Sequence, residues 1–140
     1  MNDNKPPFLT LEDVLDINKR VPFLEAEYHQ VRDQAALESA VFMPEQGYGG
    51  QYFCQDAFEM AATYMFHISQ SQAFMCGNKR TGLTAALEFL ARCGIVIVVT
   101  EQKQLVDLSL DMANGKVDKV AAAEFFRRNY IDIDELERSV

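Results

Sequence analysis

The sequence predicts a mainly helical protein of one domain, with at most a small β-hairpin. Three observations predict it. Apolar residues recur at helical spacing over most of the chain, glycine and proline mark short gaps between those stretches, and only one run reads as a strand. Length agrees: a chain of 140 residues, 49% of them apolar, has enough material for one core. Such a chain buries about two thirds of its unfolded surface. No repeat, low-complexity tract or linker divides it, so one domain over 8–130 is expected, with 1–7 and 131–140 as flanking tails.

Thr10, followed by Leu-Glu-Asp, has the form of an N-cap and acidic first turn, opening a helix to about Lys19. Pro22 breaks the pattern, and Val21 to Val31 reads as irregular. Asp33 caps a second helix, Gln34 to Phe42, that stops before Pro44. Gly47, Gly49 and Gly50 make a flexible loop. Tyr48, Tyr52 and Phe53 around them fit either a short hairpin or clamp, or anchors that pin a loop to the core. A long helix from about Gln55 to Ser71 is apolar almost all round, as a central buried element must be. From about Lys79 to Cys93, Leu83, Ala86, Leu87, Leu90 and Ala91 form a single stripe, with Gly94 as the stop. Ile95 to Thr100 reads as a strand too isolated to found a sheet. Helices over Lys103 to Ala113 and Asp118 to Asn129 follow, separated at Gly115, before an acidic tail from Ile131.

The net charge is −8, from 21 acids and 13 bases. Nucleic acids and anionic membranes call for a basic face, so neither is expected as a partner. No apolar run approaches the roughly 20 residues of a membrane span. Met1 to Phe8 has no apolar core of the kind a signal peptide uses, which leaves the cytoplasm as the expected location. Cys54, Cys76 and Cys93 are far apart and have no ligand spacing. They read as free thiols of a reducing compartment, with no metal site.

The charge is uneven. Between Met60 and Leu87 there is no Asp or Glu, and Lys79 and Arg80 are the only formal charges. They sit at the end of Gln72-Ala73-Phe74-Met75-Cys76-Gly77-Asn78-Lys79-Arg80-Thr81-Gly82, between the two central helices. Gly77 permits a turn closed to other residues, and Asn78 reads as an N-cap. The amides that follow carry the positive end of the helix dipole, where each base costs on the order of a few tenths of a kcal/mol. A bound phosphate or carboxylate resolves that conflict. The alternative is that both cations bend away to surface acids.

This segment resembles the Fic motif in its death-on-curing (Doc) version, His-Pro-Phe-x-Asp-Gly-Asn-Lys-Arg-Thr. The resemblance extends from about Leu9 to Arg128. It includes Leu11 to Leu15, Val31-Arg32-Asp33, Leu37 to Ala40, Phe58 to Ala62, Tyr64 to Ile68, Leu87 to Leu90 and Gly94. It implies a Fic/Doc (Fido) helical domain and the transfer of part of a nucleoside triphosphate to a protein hydroxyl. An active relative would be a protein phosphotransferase or a nucleotidyltransferase (AMPylation). It also implies phosphate or nucleotide binding, with ATP or another nucleotide as ligand, at Gly77, Asn78, Lys79, Arg80 and Thr81. Phe74 is the packing aromatic, and Gln46 to Phe53 lies where relatives carry a flap for the target.

Two positions depart from the pattern. Gln72 stands where the family places its catalytic His, and Cys76 where it places a metal-binding acid; Ala73 also replaces Pro. A Gln amide takes no proton near neutral pH, and such a base is worth about 10²- to 10⁴-fold in rate. Sulfur is a poor ligand for Mg²⁺, so that ion is disfavoured. His67 lies more than a helical turn from Gln72 and reads as packing or hydrogen-bonding, while His29 has no legible partner. These readings give an impaired Doc-like protein with a phosphate pocket. Two alternatives stand beside it: an active transferase, or a thiol-dependent regulator centred on Cys76 near a helix start. No inhibitory Ser/Thr-x-x-x-Glu-Gly/Asn string occurs, so the resemblance implies a protein target or a separate antitoxin-like partner. A homo-oligomer is left open.

Overall fold

A computed structural model describes residues 5–138. In chain order they form α1 (Leu11–Lys19), α2 (Gln34–Phe42), β1 (Gly47–Tyr48), β2 (Gln51–Tyr52), α3 (Ala57–Ser71), α4 (Asn78–Arg92), β3 (Ile95–Ile97), α5 (Lys103–Ala113), α6 (Lys119–Arg128), β4 (Tyr130–Asp132) and α7 (Ile133–Arg138). Short 3-10 turns occupy Ala26–His29 and Met43–Glu45. None of the described helices is long and apolar enough to cross a membrane.

Caps set the helix starts. The Thr10 hydroxyl accepts from the Asp13 amide while the Asp13 carboxylate accepts from the Thr10 amide, a reciprocal capping box. This bond and the Arg92 guanidinium hold the Asp13 carboxyl below its ordinary pKa. Asp33, Asp56 and Asp118 each accept from an amide in the first turn of α2, α3 and α6.

Helix α3 is the central element, packed along α4 and touching α2, α5 and α6. Ala61, Ala62, Tyr64, Met65 and Ile68 are wholly buried, facing the equally buried Ala85, Ala86, Phe89 and Leu90 of α4. Many of these residues are small, and the helices approach closely. At Gly82 a Cβ would collide with Ser69 Oγ and stand 2.8 Å from the Met65 carbonyl oxygen. That approach holds the start of α4 beside the end of α3, which positions the site.

The glycine-rich segment is a hairpin, with Gly47 opposite Tyr52 and a turn through Gly49 and Gly50 at positive φ. Of its three aromatics only Tyr52 is an anchor, meeting the Phe8 ring edge-on at 5.3 Å; Tyr48 and Phe53 are exposed. The strand expected to be isolated has a partner. Strand β3 ends at Ile97 and pairs antiparallel with β4, Val96 facing Ile131. β4 falls where the sequence suggests the end of the domain, and Ile133 donates from its amide to the Gly94 carbonyl at 2.8 Å. A three-residue strand reading Tyr-Ile-Asp is too short to show a period of two.

Candidate functional site

Helix α3 ends at Gln72, which adopts the left-handed region at φ 48°. Glycine usually takes that position, and another residue there costs roughly 1 kcal/mol. The Gln72 carbonyl accepts from Arg32 Nη2 at 2.8 Å. The chain then runs antiparallel to the segment before α2. Arg32 and Asp33 donate from their amides to the Ala73 carbonyl, Met75 donates to Gln30, and Cys76 donates to Tyr28. Val31 and Phe74 form the bridge between the two segments, with the Phe74 ring buried beneath. The irregular stretch after α1 is therefore the splint for the loop.

Asn78 is not the N-cap. Gly77 takes that place at φ 80° and supplies no side-chain cap. Asn78 is the first helical residue, and its amide group closes the preceding loop. Its Oδ1 accepts from the Phe74 amide and its Nδ2 donates to the Phe74 carbonyl, both at 3.0 Å. A glycine before the Asn can adopt the left-handed turn, which frees the Asn side chain to reach backward. The backbone amides at the helix start are left without intrahelical acceptors.

A second polar group holds the loop from below. Asn18 of α1 is fully buried, and its Nδ2 donates to the Cys76 carbonyl and to Thr81 Oγ1, each at 3.1 Å. Its Oδ1 lies 3.2 Å from His29 Nδ1, so His29 does have a partner. Asn18 is the site residue that sequence reasoning missed. The available signal was a polar residue on a buried helical stripe, four positions after Val14 and beside Ile17.

Ser69, Gln72, Gly77, Asn78, Lys79 and Arg80 line one open cleft of about 440 Å³. Among the described residues no carboxylate lines it. Lys79 and Arg80 are exposed, and among the described residues neither takes part in a salt bridge. The alternative of cations bent away to surface acids thus finds no ion pair. Ser69 is one of the lining residues, and its hydroxyl is the buried side-chain polar atom without a hydrogen-bond partner among the described residues. Uncapped amides, a helix dipole and two unpaired cations together favour an anion.

The other expected site residues lie outside that lining. Thr81 is buried, and its hydroxyl donates to the Gly77 carbonyl at 2.7 Å, so its side chain braces the turn. Cys76 is a free, half-buried thiol whose peptide is used by Tyr28 and Asn18. His67 is half-buried on α3, with Nε2 3.1 Å from Lys119 Nζ. Burial and that ammonium push its pKa below the ordinary imidazole value, which makes it a neutral acceptor. Among the described residues no group of three or more His, Cys, Asp or Glu could hold a metal ion.

The family model described as Fic/DOC family matches residues 8–90 of this chain. The chain belongs to the Fic/DOC family. The matched span contains α1 to α3, the cleft loop and most of α4. A curated relative, the protein kinase doc of Escherichia phage P1, is 36% identical over 75 residues. That alignment covers 54% of this chain and 58% of the relative. This Fic/DOC protein is thus aligned to little more than half of the relative's length.

Proposed function

We propose that this chain is a Doc-like Fic protein that binds phosphate or a nucleotide and is impaired in the transfer reaction. The observation that carries the reading is the convergence of the α4 amides, Lys79 and Arg80 on one cleft with Gln72 and without a carboxylate. Anion binding needs only donors and positive charge, and both are present. Transfer to a hydroxyl needs a base, and Gln72 offers a neutral amide where the Fic motif has His. Mg²⁺ prefers hard oxygen ligands, and Cys76 presents sulfur where the motif has an acid. The residues present fit the phosphates of a nucleotide and do not fit the metal. The relative's designation as a protein kinase supports phosphoryl transfer as the chemistry to look for. A protein target or antitoxin-like partner and a cytoplasmic location belong to the same reading.

The test is incubation with Mg²⁺, bacterial lysate and ATP labelled at either the α or the γ phosphate. The expected result is no labelled protein for this chain, and labelling once Gln72→His and Cys76→Asp are combined. Label transferred by the unaltered chain, and lost with Lys79→Ala plus Arg80→Ala, would establish the active transferase instead. A folded but inert double variant, Gln72→His with Cys76→Asp, would count against simple loss of the base and the acid. Loss of nucleotide binding on oxidation, prevented by Cys76→Ser, would favour the thiol-regulated alternative.

A further inference from the structure

Helix α3 carries two serines near its end, and they behave differently. The Ser71 hydroxyl donates to the Ile68 carbonyl at 2.9 Å. Bonding back to the preceding turn is how a serine inside a helix ordinarily satisfies itself. Ser69 does not do so. Only 7% of the residue is exposed, and its hydroxyl has no hydrogen-bond partner among the described residues. An unpaired buried hydroxyl is a cost that alanine, with the same Cβ, would not carry. The oxygen lies against Gly82, where any Cβ would collide with it. The residue also lines the cleft, beside Gln72 and the Gly77 to Arg80 start of α4. Other polar side chains there are mobile by exposure or already committed. Lys79 and Arg80 are exposed, and both ends of the Asn78 amide are bonded to Phe74. Ser69 is a lining donor fixed on the central helix.

We propose that Ser69 is a phosphate-binding residue of the cleft, its hydroxyl turning about Cα–Cβ to donate to a phosphate oxygen. The inference rests on the phosphate-binding reading above and adds a donor from a second helix. Gly82 gives the oxygen its room in the inward rotamer, and phosphate gives it a partner in the outward one. Donors on two helices that converge on one group select its shape. A tetrahedral phosphate has enough terminal oxygens to meet the α4 amides, the cations and the hydroxyl at once. A carboxylate has two oxygens in one plane and leaves one set of donors unserved. The sequence allows phosphate or carboxylate at this helix start; a donor on α3 decides for the tetrahedral anion. A hydroxyl on a packed helix also holds the ligand in place more precisely than exposed lysine and arginine side chains do.

Calorimetry of the full chain with inorganic tripolyphosphate, ATP and citrate tests this, alongside thermal unfolding. Tripolyphosphate and ATP are expected to bind, and citrate to bind at least roughly tenfold more weakly. Ser69→Ala is expected to weaken tripolyphosphate and ATP alike by roughly tenfold and to bring them closer to citrate. Its Tm should hold or rise, because alanine removes the unpaired hydroxyl. Phosphate affinity indifferent to Ser69→Ala would overturn the role of Ser69 and leave the cleft standing. A fall in Tm of several degrees would also overturn it, by showing that the hydroxyl serves the helix. Citrate binding as tightly as tripolyphosphate would overturn the selection of a tetrahedral anion. Failure of the unaltered chain to bind tripolyphosphate or ATP would overturn the phosphate reading and the role of Ser69 together.

Discussion

The starts of α3 and α4 are opposite solutions to one problem. Every helix begins with amides that lack intrahelical acceptors. In α3 the chain satisfies them itself: Asp56 accepts from the Glu59 amide at 2.9 Å, and Glu59 adds negative charge to the first turn. In α4 the N-cap is glycine, no side chain caps, and the first turn carries Lys79 and Arg80. A cation near a helix start is not by itself the distinguishing feature. Lys119 opens α6, but Asp118 caps that helix and the Lys119 ammonium reaches His67 and lies over the Phe66 ring. Helix α5 also lacks a side-chain cap and an acidic first turn, but what sets α4 apart is that its uncapped start and two adjacent cations line one cleft. The α3 start is capped by its own side chain, and the α4 start is not.

Removing both α4 cations should break the comparison most strongly. Hydrogen bonds to charged groups are worth about 1.5–3 kcal/mol each. Lys79→Ala with Arg80→Ala should therefore lower tripolyphosphate affinity by roughly a hundredfold or more in calorimetry. Tm should hold or rise slightly, because bases at this end oppose the dipole. A fall in Tm of several degrees would mean that the cations serve the fold. The converse change is Asp56→Ala, which removes a cap worth about 1 kcal/mol. It also removes a half-exposed ion pair with Arg127, worth at most about 1 kcal/mol after solvent screening. Tm should drop by several degrees with tripolyphosphate affinity unchanged. Gln72→Gly has a smaller effect of opposite sign, since glycine suits φ 48° and should stabilise by up to about 1 kcal/mol in a denaturant titration.

The parts of the fold legible in the sequence are those with local causes. Helices α2 and α5 run over the expected residues because Asp33 and Pro44 bracket the first and an apolar stripe ending before Gly115 defines the second. The splint around Ala26–His29 was not legible, because its partners at 73–76 are distant in the chain. The same holds for the β3–β4 pair. In the site, Gln72, Gly77, Lys79 and Arg80 were legible as a motif and converge on one cleft. The inward roles of Asn78 and Thr81 were not, since composition does not tell which way a polar side chain turns. Asn18 was visible only as an irregularity on an apolar stripe. Its importance comes from two long-range bonds.

The pair that completes the α6 start also gives the smallest and most diagnostic effect. His67 has a folded pKa below its unfolded value, lowered first by burial and then by the Lys119 ammonium. The unfolded chain therefore takes up a proton at higher pH than the folded chain does. Stability from this group is complete above the unfolded value of about 6.5 and falls as the pH drops below it. A thermal scan series from pH 7.5 to 5.5 should show Tm declining on the acid side. His67→Gln, which keeps an acceptor for Lys119 but does not titrate, should flatten that decline. Lys119→Met should also flatten it, but only in part, because burial still opposes protonation of His67. An unchanged slope in His67→Gln would place the acid sensitivity elsewhere and remove the case for a neutral His67 accepting from Lys119.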